Sequence, residues 1–349
     1  MTLFFISFIL ALIITPLIIK IYTQLNWLDD PKKNTNLNKN THFTPIPRGG
    51  GLVIFFTITI ISCFFLPLDS YLKAILLASF VLTFIGFLDD IFNLNPYFRF
   101  IINIIVALII VMSNIRISYI SNPFSDNVLW LNYPSLNFYL GNFKWQFFLI
   151  GDLVTILFIV FLINIVNWSK GVDGQLPGFV AISLIFIGLL AQKFVDDPTS
   201  FQSYQLSFIA SGAFLGFLIW NFYPQKIMPG YGGGSLAGFF LSILAILGGA
   251  KLATIFIILS LPITDAILTI LNRLKNGHSP FWGDRKHLHH YLLDKYHWNK
   301  IQISLFYCLV SLIMGLLALV SNSLIKFIIL IFITLLSFII LLIIKKDKN

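Results

Sequence analysis

Long apolar runs alternate with short polar stretches along the whole chain. A helix needs about 20 apolar residues to cross the hydrocarbon core of a membrane. The pattern predicts eleven such helices, near 3–22, 49–67, 71–88, 98–115, 150–166, 178–195, 204–222, 234–249, 252–272, 301–321 and 324–344. Lipid tolerates only helices or closed barrels, and these runs are too long for barrel strands. The expected fold is therefore all-α: a polytopic integral membrane helical bundle, one domain over residues 1–349, with no internal repeat and no linker.

Composition narrows the class. Of the 349 residues 58% are hydrophobic and 11% charged, against about 45–50% and about 25% in a soluble domain. A soluble enzyme and a disordered chain are both excluded. The net charge of +9 would suggest nucleic acid in a soluble protein. Here the charges sit in short loops between apolar runs, so the expected partner is a lipid bilayer and not nucleic acid. With the N-terminus placed outside, 17 of the 23 Lys and Arg residues fall in inner segments. The expected orientation is N-out, C-in, in a bacterial-type plasma membrane with the polar loops in the cytoplasm. The longest outer loop, about 116–149, carries SNPF, NYPS and GNF turn signals and reads as a small hairpin or an interfacial segment.

Nearly all the unusual chemistry lies in five inner loops. The first, 28–51, holds Asp29, Asp30, His42 and Arg48, and Gly49 to Gly51 open the next helix. Backbone N–H groups at such a start favour an anion. The second, 86–100, holds Asp89 and Asp90 at a helix end, where acids are disfavoured unless they meet a cation, a metal or a substrate proton; Arg99 is the nearest cation. In the third, 164–178, Asn164 and Asn167 share one helix face, and Gly171 and Gly174 flank Asp173 in a turn. The fourth, 221–239, enters a helix through GYGGGS, a phosphate cradle or a tight helix contact. The fifth, 272–298, places His287, His289 and His290 after Asp284, Arg285 and Lys286. These imidazoles suit a metal or, with Arg285, a diphosphate. Asp265 lies within a predicted span, where a carboxylate is a functional candidate. Five loops placing Asn pairs, Asp pairs and a His cluster on one side point to a shared site for an anionic substrate.

Taken together, DDP…H…PIPRGGG, GFLDD…R, NIVNWSKGVDG and SPFWGDRKHLHH resemble the polyprenyl-phosphate N-acetylhexosamine-1-phosphate transferases over about residues 28–293. The last stretch looks more like the initiating GlcNAc branch than the MurNAc-pentapeptide branch. The resemblance implies transfer of a HexNAc-1-phosphate, in this branch GlcNAc-1-phosphate, from a UDP-sugar to undecaprenyl phosphate. UMP would be released, Mg²⁺ would be the usual cofactor, and the product would start a cell-envelope polysaccharide. By motif, Asp89 matches the carboxylate that deprotonates or positions the lipid phosphate, and Asp90 the metal-adjacent one. Asn164, Asn167 and Asp173 match the nucleotide-sugar pocket. Arg48 is expected on the substrate, and Arg285, His287, His289 and His290 near the diphosphate. Dimers occur in the family, so a homodimer is an expectation.

Two positions depart from the family's pattern. Lys170 stands where that pattern has the first Asp of N-x-x-N-x-x-D-G-x-D-G. Tyr231 or, one register on, Gly232 stands where it has the Asp of G-D-x-G-S, a Mg²⁺ ligand. The site then has two carboxylates fewer and one ammonium more. Lys170 is therefore a candidate catalytic residue that supplies part of the metal's charge, in an enzyme with reduced or absent metal dependence. Two other readings stay open: a non-catalytic homologue that binds lipid phosphate or nucleotide sugar, and a membrane transporter.

Overall fold

The computed structural model describes residues 1–31, 41–42, 44–125, 127–140, 143–249, 252–282 and 284–346. The middle of the inner loop 28–51 thus lies outside the described residues. The helices are α1 (Thr2–Gln24), α2 (Gly50–Phe65), α3 (Ser70–Phe92), α4 (Pro96–Met112), α5 (Leu149–Trp168), α6 (Gln175–Ala191), α7 (Pro198–Asn221), α8 (Gly230–Leu247), α9 (Leu252–Ile258), α10 (Ser260–Lys275), α11 (Leu288–Asp294), α12 (Lys300–Val320) and α13 (Ser323–Lys346). Seven are long and apolar enough to cross a membrane, or up to eight with α9 and α10 taken as one bent span. Shorter apolar helices lie at Gly50–Phe65, Pro96–Met112 and Ser323–Leu336. The chain is a polytopic helical membrane protein.

Two features differ from the pattern-based expectation. The run 252–272 is not one straight helix: α9 and α10 meet at 83°. Pro262 lacks the N–H that a continuous helix would donate to the Ile258 carbonyl, the last turn of α9. Strands also occur in this largely helical chain. In the segment 116–149, β3 (Tyr119–Ser121) pairs with β4 (Val128–Trp130) and β5 (Ser135–Leu140) with β6 (Phe143–Phe148), both antiparallel. The SNPF signal falls between β3 and β4 and NYPS between the two hairpins, while Gly141 and Asn142 of the GNF signal lie outside the described residues. A third short pair, β1 (Leu28–Asp29) with β2 (Ile46–Pro47), closes the first inner loop.

Helix α8 is buried on all sides, as befits a helix apolar around its whole circumference. It packs against α2, α3, α5, α6 and α7. Small residues permit this closeness, as in other membrane helix contacts. A Cβ on Gly86 of α3 would sit 2.4 Å from the Gly232 Cα, and one on Gly51 of α2 would sit 2.8 Å from the Gly232 carbonyl carbon. The glycines of the first and fourth inner loops therefore serve helix packing. By contrast, α1 and α12 expose Phe5, Ile13, Leu305 and Val320 on their outer faces, as lipid-facing helices do. The buried α8 begins at the polar loops, so its first turn carries the site.

Candidate active site

The site starts where α3 ends. Asn93 takes φ 49° and turns the chain back, so that the Leu94 N–H donates to Asp89 Oδ1 at 3.0 Å. Asn95 then caps α4 by accepting the Tyr97 N–H at 2.9 Å, and Pro96 occupies the first turn. One turn into α4, Arg99 Nη1 donates to both Asp89 oxygens, at 3.0 and 3.1 Å. Arg99 is thus the cation that an acidic helix end requires. Asp90 turns the other way, and its Oδ1 accepts the Tyr231 N–H at 3.3 Å. Gly230 has φ +66°, and a Cβ there would lie 2.3 Å from the Arg48 carbonyl oxygen and 2.7 Å from both Asp90 oxygens. The chain accommodates only glycine at that point.

Lys170 lies between α5 and α6. Its Nζ donates to the Gly230 carbonyl at 2.7 Å and sits 6.0 Å from the centre of the Tyr231 ring. The Arg99 guanidinium lies 4.8 Å from the same ring. The Tyr231 hydroxyl donates to Asn103 at 3.0 Å, which fixes the ring between the two cations. Arg48 Nε donates to Asp29 at 3.0 Å and its Nη1 to Asn93 at 3.3 Å. These groups line a cavity of about 470 Å³, whose wall includes Asp29, Arg48, Asp89, Arg99, Lys170, Tyr231 and His290. Burial lowers the Lys170 ammonium from 10.5 to about 7, against the attraction of Asp90 and Asp89.

The histidine stretch forms the far wall. His287 Nδ1 lies 2.9 Å from Asp265, whose other oxygen accepts the Leu288 N–H at 2.8 Å. The carboxylate within the span is therefore the anchor of the α11 turn. Arg273 closes the same turn by pairing with Asp284 at 2.8 Å. His289 is buried against Gly171, where an added Cβ would stand 1.9 Å from Nε2. Burial pushes His289 well below the usual imidazole range and His290 down to about 4, so both are neutral near pH 7. We expect Gly171→Ala to displace His289 and to destabilise the protein by about 1–3 kcal/mol, read as a lower thermal midpoint in detergent.

Of the residues singled out in the sequence, Arg48, Asp89, Lys170, Tyr231 and His290 meet at the cavity. Asp90 and His289 stand directly behind its wall. Asp173 is engaged by Lys300 at 2.9 Å and by the Gln225 N–H at 3.2 Å. Asn164 donates to its own helix, at the Val160 carbonyl, 2.7 Å away. Asn167 is buried under Gly234, where a Cβ would meet its Oδ1 at 2.1 Å. Arg285 pairs with Asp294 at 2.8 Å, away from the cavity. Gly232 lies in the helix contact rather than on the wall. Sequence reasoning did not place Asp29, His42 or Asn93 in the site, although Asp29 and His42 were visible in the first polar loop.

The donor set does not fit a divalent ion. Magnesium takes oxygen ligands in a near-octahedral shell anchored on one or two carboxylates. Both Asp89 oxygens are held by Arg99, and Asp90 Oδ1 accepts the Tyr231 N–H. Among the described residues, no group of three or more His, Cys, Asp or Glu is placed to hold a metal ion.

Comparison with known proteins gives the family. The family model described as glycosyl transferase family 4 matches residues 72–249, which contain α3 to α8 and most of the cavity wall. A Bacillus subtilis (strain 168) protein named "Probable undecaprenyl-phosphate N-acetylglucosaminyl 1-phosphate transferase" is 31% identical over 300 residues, covering 83% of this chain and 76% of its own length. The decaprenyl-phosphate N-acetylglucosaminephosphotransferase of Mycobacterium leprae (strain TN) is 26% identical over 309 residues, covering 79% of this chain and 73% of its own. The undecaprenyl-phosphate alpha-N-acetylglucosaminyl 1-phosphate transferase of Salmonella typhi is 26% identical over 290 residues, covering 78% and 71%. The chain belongs to glycosyl transferase family 4.

Proposed function

We propose that this protein transfers GlcNAc-1-phosphate from UDP-GlcNAc to undecaprenyl phosphate at the cytoplasmic face of a bacterial plasma membrane, in the N-out, C-in orientation. One observation carries the reading: Arg48, Arg99 and Lys170 converge on one cavity at the end of the central helix. Both substrates bring phosphate groups, and the cavity offers the charge that would draw them together. The relatives' activities point to the sugar and the polyprenyl carrier.

In this reaction an oxygen of the lipid phosphate attacks the phosphorus that bears the sugar. A new P–O bond forms there, and the bond from that phosphorus to the bridging oxygen breaks. The electron pair stays on that oxygen, and UMP leaves as a phosphate anion. Such transfers depend on positioning and charge neutralisation more than on covalent help. Arg99 holds Asp89 rigid, so that the carboxylate orients the incoming lipid phosphate while Arg99 tempers the repulsion between them. His290, neutral near pH 7, can donate a hydrogen bond to a phosphate oxygen without supplying charge.

The test uses the purified full-length protein with UDP-GlcNAc and undecaprenyl phosphate. We expect UMP release that requires the lipid. Absence of UMP with every UDP-HexNAc tried would overturn the proposal and favour a binding role.

A further inference from the structure

The two sequence departures, Lys170 and Tyr231, lie 61 residues apart in the chain and meet in space. Lys170 donates to the carbonyl of Gly230, the residue that opens α8, and its ammonium faces the ring of Tyr231 one residue on. This contact brings an ammonium to the inner end of α8, beside Asp90, whose carboxylate is bonded to the Tyr231 N–H. Gly230 links the two groups: its carbonyl accepts from Lys170, and a Cβ on it would lie 2.7 Å from both Asp90 oxygens. Arg99 is committed to Asp89 and Arg48 to Asp29, so Lys170 is the third cation, beside a third carboxylate, Asp90. A divalent ion that took Asp89 as a ligand would have to displace Arg99, which holds both its oxygens.

We infer that this protein works without a divalent metal ion, the Lys170 ammonium supplying at the α8 terminus the positive charge that such an ion would bring. The inference rests on the transfer reading above and concerns the same site. During transfer, negative charge grows on the bridging oxygen as its bond to the sugar-bearing phosphorus breaks. Lys170 stabilises that oxygen as a point charge, and Arg99 and Arg48 hold the remaining phosphate oxygens. No proton changes hands, since UMP leaves as an anion. An ammonium locked on a backbone carbonyl and flanked by an aromatic ring is preorganised, which is the condition for strong electrostatic stabilisation.

Two measurements on the full-length protein test this. In the first, Mn²⁺ alone is titrated into the protein and free Mn²⁺ is followed by electron paramagnetic resonance. The wild-type chain is expected to bind no Mn²⁺ at the site, and the Lys170→Asp, Tyr231→Asp chain to gain one ion. A stoichiometric wild-type site that Asp90→Asn abolishes would overturn the inference, as would a folded double variant that gains none. In the second, UMP release is compared in Mg²⁺ and in EDTA. The two rates are expected to agree within about twofold, and a loss of tenfold or more in EDTA would overturn the inference. If no UMP appears under either condition, the transfer reading falls by itself. The Mn²⁺ titration still decides whether the cavity accepts a divalent ion.

Discussion

A Lys170→Ala chain loses about 10²–10³-fold in kcat, the usual cost of removing one preorganised electrostatic contributor. Loss of charge, not of volume, is the cause, so Lys170→Met falls as far while Lys170→Arg keeps most of the rate. The pH profile separates these variants further. Burial brings Lys170 from 10.5 down to about 7, with Asp90, Asp89, Arg99 and Arg48 as the charged groups around it. A lowered ammonium sheds its proton as the pH rises through that value. The active, charged form is therefore present below about pH 7 and is lost above it. The ratio kcat/KM reports the free enzyme and should fall about tenfold for each pH unit above that point. The limb in kcat should lie at higher pH, because the bound diphosphate holds the proton on the amine. In Lys170→Arg both limbs should vanish, since guanidinium stays charged. A wild-type kcat/KM that rises through pH 7–9 would contradict the role given to Lys170.

Breaking the Arg99–Asp89 pair is the second large effect. Asp89 is buried, and both its oxygens are held by Arg99 at 3.0 and 3.1 Å. Removing one partner of a buried pair costs about 3–5 kcal/mol, because it leaves an uncompensated charge. Arg99→Ala also leaves that charge facing two anionic substrates. We expect kcat/KM to fall about 10²–10³-fold, the usual cost of removing one preorganised electrostatic contributor, with both KM and kcat affected. Asp89→Asn should lose kcat while KM for UDP-GlcNAc changes little, because the carboxylate acts on the lipid phosphate. The Asp89→Asn, Arg99→Ala chain should regain part of the thermal stability lost by Arg99→Ala, since no buried charge is then left unpaired. A double-mutant cycle measures that coupling. Additive losses of stability would show that the two side chains do not act as a pair.

Much of this site was legible in the sequence, and the limits have physical causes. Asp89 and Asp90 announced themselves as acids at a helix end, and Arg99 stood near enough in sequence to be their partner. Lys170, Arg48 and the histidines stood out as polar residues in loops between apolar runs. Pairings over long separations were hidden, since no periodicity encodes a lysine that bonds a carbonyl 60 residues away. For the same reason the pairing of Arg285 with Asp294 could not be read from the chain. Asn164 shares a helix face with Asn167 but spends its amide on its own helix, a local alternative always open to such side chains. The GYGGGS stretch read equally as a cradle or a contact, and backbone proximity at Gly51, Gly86 and Gly232 decided for the contact. Hydropathy found the helices but not the break at α9 and α10, because it weighs apolar character while Pro262 acts through a missing hydrogen bond.

In the proposed reaction a sugar phosphate, rather than a bare sugar, passes to the lipid. It is tested with UDP-GlcNAc carrying ³²P on the sugar-bearing phosphorus, incubated with undecaprenyl phosphate and the purified protein, with either Mg²⁺ or EDTA present. The account predicts that the label moves into the organic-extractable lipid and that the UMP released is unlabelled. Label retained in the aqueous nucleotide fraction, as UDP or as unreacted substrate, would contradict it.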